Sequence, residues 1–278
     1  MHRRIPLLTA LGSLLAVLVV GCGAGGGPTT SADNAPPKHY ASLAELGGAI
    51  TARQQTDRTA SVSMNGAIGP VTLSGEGAVR FDAGGTSMRF SQDAEQDGKP
   101  LSSQAYAMVA IGDQVYAKPP AGPGWPTLSP GKPWLKVSEK STNPAIALLG
   151  QQVQSMLQSV SPAQTFTKLG PALTLVDTAD EALGGTPTAR YTIRMDLAKA
   201  AQLRTDPAAK RQLTAALAQG VKTVDSTLWL DSQDRILRSQ SQQPLSNGQD
   251  AYNVDFRYHD WGQPVDIAAP PPAQVSQG

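Results

Sequence analysis

The side chains that could do chemistry are few. Three histidines, one cysteine and scattered carboxylates supply the candidate nucleophiles, bases and metal ligands in 278 residues. Asp260 directly follows His259. Successive residues of a strand point to opposite faces, so this spacing does not read as an aspartate orienting a histidine base. Ser129-Pro130-Gly131-Lys132 matches S-x-x-K. That pattern sets a serine beside a lysine when it opens a helix, and Pro-Gly at its centre predicts a loop instead. Asp177, Asp180 and Glu181 precede Gly184-Gly185. A calcium loop needs denser alternating oxygen ligands and a terminal glutamate at fixed spacing, so this cluster reads as a solvated turn. The sequence has no G-x-S-x-G elbow. A single cysteine excludes an internal disulfide framework and any cysteine-cluster zinc or iron–sulfur site. The expectation is a protein that is not an enzyme and uses neither cofactor nor metal. A hydrolase of unrecognised type is the weakest alternative.

Charge narrows the partners. The chain has 23 Lys+Arg against 22 Asp+Glu, a formal +1. Capture of nucleic acid needs a strong basic excess, so no nucleic acid is expected. His2, Arg3 and Arg4 open the chain, and a largely apolar run follows over residues 7–20. That run is short for a membrane span of roughly 20 residues and reads as a secretory signal. It ends in Leu18-Val19-Val20-Gly21-Cys22. Small residues before a cysteine at this point resemble the lipobox of bacterial lipoproteins. The resemblance implies a signal peptide over residues 1–21, diacylglyceryl transfer to Cys22, cleavage after Gly21, and membrane anchoring through the acylated cysteine at the outer face of the cytoplasmic membrane. A soluble secreted protein with a chance cysteine is the other reading. Arg3 and Arg4 leave with the signal, so 21 basic residues then face 22 acidic ones. Residues 22–40 are rich in Gly, Thr, Ser and Pro and read as a flexible tether. Residues 41–270 read as one domain, and 271–278 as a disordered tail.

The elements of that domain follow from periodicity. Residues 41–55 read as a helix: Leu43, Leu46 and Ile50 share a face and Ser42 can cap it. In residues 71–81 the period becomes two, with Leu73, Gly75, Gly77, Val79 and Phe81 on one side and Thr72, Ser74, Glu76 and Arg80 on the other. Residues 82–85 turn the chain, and Met88 and Phe90 alternate on the return. Hairpins follow over 104–118, then a Gly/Pro-rich loop over 119–133 and a short strand over 134–137. Asn143-Pro144 opens a second helix, whose Ile146, Leu149, Val153, Met156, Leu157 and Val160 form a continuous apolar stripe. Strands are expected over 173–176 and 190–195, and helices after Asp196 and Asp206-Pro207. A closing meander is expected over 222–230, 236–242 and 251–258. Hairpins dominate and no βαβ rhythm appears, so the class is α+β. The architecture is a large curved antiparallel sheet with helices on its concave face.

The most distinctive stretch is Tyr258-His259-Asp260-Trp261-Gly262-Gln263-Pro264-Val265-Asp266-Ile267-Ala268-Ala269-Pro270. It resembles the Y-x-D-W-G-x-P-V-D-I-x-A-P ending of actinobacterial lipoproteins similar to the mycobacterial LppX/LprA/LprF/LprG family. Val115-Tyr116 with Trp134-Leu135-Lys136-Val137, and Leu228-Trp229-Leu230-Asp231 with Ile236-Leu237-Arg238, resemble two further hairpins of that family. The resemblance covers about residues 43–270, and the wider relatives are LolA/LolB-type carriers. It implies a half-barrel of antiparallel strands, with helices covering a hydrophobic cavity for lipid acyl chains. The expected function is binding of an acylated lipid or lipoglycan, for carriage or presentation at the cell envelope. The expected lining is Val79, Phe81, Met88, Phe90, Met108, Ile146, Leu149, Val153, Met156 and Leu157, with room left by the small residues Gly75, Gly77, Ala105 and Ala107. An envelope transporter is a candidate partner and a monomer the expected state. Trp261 with Asp266 is expected to pin the closing segment to the sheet. The alternative function is a non-catalytic envelope lipoprotein with a filled core, acting as a protein-interaction or regulatory module.

Overall fold

The structure is a computed structural model, described over residues 35–276 except 83–84, 104, 121–124, 126, 139–140, 206 and 244–251. The expected signal peptide, Cys22 and most of the tether lie outside the described residues, as do the residues joining the last two strands of the expected meander.

Helix α1 (Leu43–Asp57) starts where expected: Ser42 Oγ accepts from Glu45 N at 3.2 Å, and the Glu45 carboxylate accepts from Ala41 N at 3.1 Å. This reciprocal box satisfies two amide donors at the helix start. Strands β1 (Thr59–Ile68), β2 (Val71–Asp82) and β3 (Gly85–Gln96) follow as a meander, and a two-residue β4 (Lys99–Pro100) folds back on β3. Asp97 and Gly98 both have positive φ, as a two-residue hairpin turn requires. Strands β5 (Tyr106–Ile111), β6 (Gln114–Lys118) and β7 (Trp134–Val137) complete the first half. Helix α2 (Pro144–Val160) is capped by Asn143, whose Oδ1 accepts from Ala145 N and Ile146 N at 2.9 and 3.3 Å. Helix α3 (Pro162–Leu169), β8 (Leu173–Leu183), β9 (Thr186–Asp196), α4 (Leu197–Leu203), α5 (Pro207–Ala218), β10 (Thr223–Leu230), β11 (Ile236–Gln243), β12 (Tyr252–His259) and β13 (Val275–Ser276) follow.

The thirteen strands among the described residues form one sheet, in the order β13-β7-β6-β5-β3-β2-β1-β12-β11-β10-β9-β8 with β4 beside β3. Among the described residues, only the β13–β7 pair is parallel. The sheet is curved and open rather than closed into a barrel, as expected for an α+β half-barrel. Its concave face carries Val62, Met64, Val79, Phe90, Met108, Tyr191, Leu228 and Phe256, which pack with Leu46 and Ile50 of α1 and the α2 stripe into the main core.

The closing segment crosses to the other face. Trp261 stacks on Phe81 (centroids 5.8 Å apart, planes at 12°) and on Tyr258 (6.0 Å, 22°). Gly262 N then donates to Thr59 O at 2.9 Å and Thr59 Oγ1 to Gln263 O at 2.7 Å. Ile267 is buried against Ala78 and Val109 on the convex face, beside Val265 and Trp134. Trp261 therefore holds the strap as expected, whereas Asp266 is exposed and forms no part of the pin.

Several expectations need correction. The tail expected from residue 271 is structured as far as Ser276. That side chain is buried, donates to Lys132 O at 3.0 Å and accepts from Ser129 N at 3.3 Å. The tether ends before residue 40: Tyr191 Oη donates to Lys38 O at 2.8 Å, and Tyr40 Oη to Asp234 at 2.7 Å. Strand β1 was not expected, although Ala60, Val62 and Met64 alternate with Thr59, Ser61 and Ser63. Small polar residues muted that signal. Helix α3 was also not expected. Asp177, Asp180 and Glu181 lie on β8, not in a turn, and β8 extends to Leu183.

Candidate functional site

The site is built where one helix fails to fill the space above the sheet. Ser161-Pro162 breaks α2 and starts α3, because proline cannot continue a helix but suits its first position. Helix α3 lies against α1: a β-carbon at Gly47 would sit 3.2 Å from Phe166 Cδ2. Beneath α3, the inward residues of β8–β12 include Leu173, Ile193, Met195, Leu228, Val254 and Phe256. Three further inward positions are serines. Ser226 pairs with Ser241, and Ser239 with Leu228 and Phe256. Where neighbouring strands place leucine or phenylalanine, these small side chains leave volume that a helix on a rigid sheet cannot close. The result is a half-open cavity of about 240 Å³, walled also by Pro162, Phe166 and Leu169.

The mouth is polar. Gln158, Ser159, Thr165 and Arg204 line it. Arg204 follows α4, and its Nη2 donates to Gln158 Oε1 at 2.9 Å. Its Nε is buried with no hydrogen-bond partner. Tyr258 Oη donates to Ser159 O at 3.4 Å, tying the start of the mouth to β12. Burial raises the Tyr258 hydroxyl above the ordinary tyrosine range, so it is protonated and serves as a donor.

The expected lining residues are elsewhere. Val79, Met88, Met108 and Val153 are wholly buried; Phe81, Phe90, Ile146, Leu149 and Met156 are at most 8% exposed. Leu157 is partly buried against them. The structure brings all ten together, but as a packed core, and none borders the cavity under α3. The room expected from Gly75 and Gly77 is occupied by the Phe90 ring. Ala107 faces the convex side, because Tyr106, Met108 and Ala110 take the inward positions of β5. The cavity residues missed in the sequence did leave one signal: serines at the inward register positions of β10 and β11.

Polar groups elsewhere form ordinary structural contacts. His259 Nδ1 lies 2.7 Å from Asp260 Oδ2, correcting the expectation that the two diverge. Asp260 has φ +52°, so it has left the strand and swings back beside its neighbour. Both side chains are more than half exposed. Ser61 sits opposite His259 in register. Ser129-Pro130-Gly131-Lys132 forms the loop expected, closed by Lys132 N donating to Ser129 O at 3.0 Å. Arg190 pairs with Asp177 and Glu181, and His39 with Asp180. Among the described residues, no cluster of three or more His, Cys, Asp or Glu could hold a metal ion. A second depression of about 640 Å³ lies on the convex face beside the strap, lined by Glu76, Arg89, Trp134, His259 and Asp266 among others. Its mixed charges suit water better than an acyl chain.

No family model and no curated protein matches the chain. Several solved structures resemble it, among them these three. One is a chain of the Pseudomonas aeruginosa MucA/MucB complex, at 13% identity and a TM-score of 0.35, covering 83% of this chain and 60% of that one. Another is a β-barrel-like protein of a domain of unknown function from Brucella abortus, at 10% identity and a TM-score of 0.20, covering 73% of this chain and 99% of that one. The third is MucB in complex with MucA(peri), at 12% identity and a TM-score of 0.14, covering 78% of this chain and 95% of that one.

Proposed function

We propose that this chain is an exported envelope lipoprotein that takes up an acylated lipid or lipoglycan, chain first, in the cavity under α3. The observation that carries the reading is that cavity: about 240 Å³, half open, with apolar walls on the concave face. A 150 Å³ apolar cavity holds benzene, so 240 Å³ admits about ten carbon atoms. Burial of eight to ten methylenes at about 0.8 kcal/mol each contributes roughly 6–8 kcal/mol before the cost of immobilising the ligand. The volume therefore suits one chain end held weakly and released readily, which fits carriage or presentation better than storage. A ligand with several chains requires α3 to move off the sheet.

In this reading the protein acts as a monomer at the outer face of the cytoplasmic membrane, anchored through acylated Cys22. It catalyses no reaction and needs no cofactor. An envelope transporter would deliver or receive the ligand. A second reading, a protein-interaction lipoprotein without a ligand, is favoured by the dry packing of the β1–β7 half. Native mass spectrometry of the lipoprotein extracted from its own membrane separates the two. The expected result is a bound species carrying an acyl chain that is lost on denaturation. Ligand-free protein, together with no saturable uptake of a fluorescent apolar probe, would contradict the first reading.

A further inference from the structure

The geometry points to Arg204 as the ligand for an anionic head, so that the cavity selects a single-chain amphiphile ending in a carboxylate. This rests on the cavity being a ligand site. Its own evidence is the state of the guanidinium. Arg204 lines the cavity and is partly buried. Its Nη2 donates to the neutral Gln158, and its Nε is buried without a partner among the described residues. Among the described residues, no acidic side chain lines the cavity or the adjoining notch formed by Gln158, Gln164, Thr165, Lys168, Leu169 and Arg204. That notch adds a second cation, Lys168, in the last turn of α3.

A partly buried cation with no counter-charge among the described residues is costly, and that cost falls when an anion arrives. Guanidinium presents five donors in a planar fork that matches a carboxylate. Here at least one donor, Nε–H, is unused. A neutral head cannot offset the charge. The chain of such a ligand lies along Phe166, Leu169, Ile193, Leu228 and Phe256, while its head stays at the Arg204 mouth. About ten carbons fill the space, which makes decanoate the natural probe.

Isothermal titration of the full chain with decanoate, methyl decanoate, 1-decanol and acetate tests this. In the parent protein, decanoate binds about tenfold or more tightly than its methyl ester, and acetate at equal concentration does not compete. In Arg204→Gln, decanoate weakens by about tenfold or more while 1-decanol changes less than twofold. Arg204→Lys restores part of the decanoate affinity, since the charge returns without the fork. Thermal melts of the ligand-free variants confirm folding, and the parent's acid-to-ester ratio stands without any variant. Equal binding of acid, ester and alcohol, or an equal loss of all three in Arg204→Gln, would overturn the role of Arg204 and leave the cavity reading intact. Competition by acetate would make the site a small-anion site and overturn the amphiphile. Failure of every chain-bearing probe to bind would overturn both.

Discussion

Phe90 lies across Gly75: a β-carbon built at Gly75 would come within 2.4 Å of the Phe90 Cζ. At Gly77, two residues along β2, the same construction falls 2.2 Å from the Arg89 backbone oxygen and 2.8 Å from Phe90 Cδ2. The two glycines therefore form a seat for one aromatic ring, which explains why this part of the concave face is solid. Small inward residues leave volume, but here a neighbour takes it; at Ser226, Ser239 and Ser241 none does.

Gly77→Ala should destabilise the fold by about 1–3 kcal/mol, because the obstacle is backbone and cannot rotate away. Urea denaturation measures it. A loss below about 0.5 kcal/mol would mean that Phe90 is not seated on these glycines.

The α2 stripe gives a contrasting case. Val153 is fully buried in the main core. Val153→Trp should cost about 1–3 kcal/mol through overpacking while leaving binding in the α3 cavity within about twofold. If the variant melts like the parent but loses the ligand, Val153 borders the ligand after all.

Two aspartates near the β10–β11 turn should act oppositely with pH. Burial pushes the Asp57 carboxyl up, but hydrogen bonds from Arg53 and Arg235 outweigh it, and the group titrates below its ordinary value. Its stabilisation is present above the unfolded pKa of about 4 and is lost as pH falls through the lower folded value. Asp57→Asn should thus cost about 1.5–3 kcal/mol at pH 7 and progressively less in acid. Burial raises Asp231, opposed in part by backbone donors from Arg235 and Gln233. Its contribution is full below the unfolded pKa and lost as pH rises through the folded one. Asp231→Asn should therefore gain stability relative to the parent as pH rises. Chemical denaturation of both variants between pH 3 and 8 checks the signs, and parallel curves would refute the assignment.

Anchoring is tested at Cys22. Cys22→Ala should release the protein from membranes or stall its processing, read by fractionation and intact mass. A mature, cleaved variant that still partitions with membranes would end the lipoprotein reading.

Periodicity made most of the framework legible. Ser42, Asn143 and Asp196 cap helices as their side chains predict, and the closing meander lies within one or two residues of its expected bounds. The cavity was not legible, for a physical reason. Apolar periodicity marks what is buried, not whether buried atoms touch, so the strongest stripe pointed to the best-packed region. The empty space depends on how three serines on β10 and β11 meet α3, a contact between elements far apart in sequence. Trp261 was legible as a pin because an aromatic just beyond a strand has few other uses. The strap's passage to the convex face depends on the turn at Asp260–Gln263 and could not be read from spacing.

The most direct test of the central claim fills the cavity from its floor. Ser239 lines it and is only partly buried, so a tryptophan there can enter the existing space. Binding of the neutral probe 1-decanol is followed by isothermal titration alongside a thermal melt. The account predicts saturable single-site binding in the parent and loss of that binding by at least tenfold in Ser239→Trp, with a melting temperature within a few degrees of the parent. No saturable binding in the parent, or unchanged binding in a folded Ser239→Trp, would contradict it.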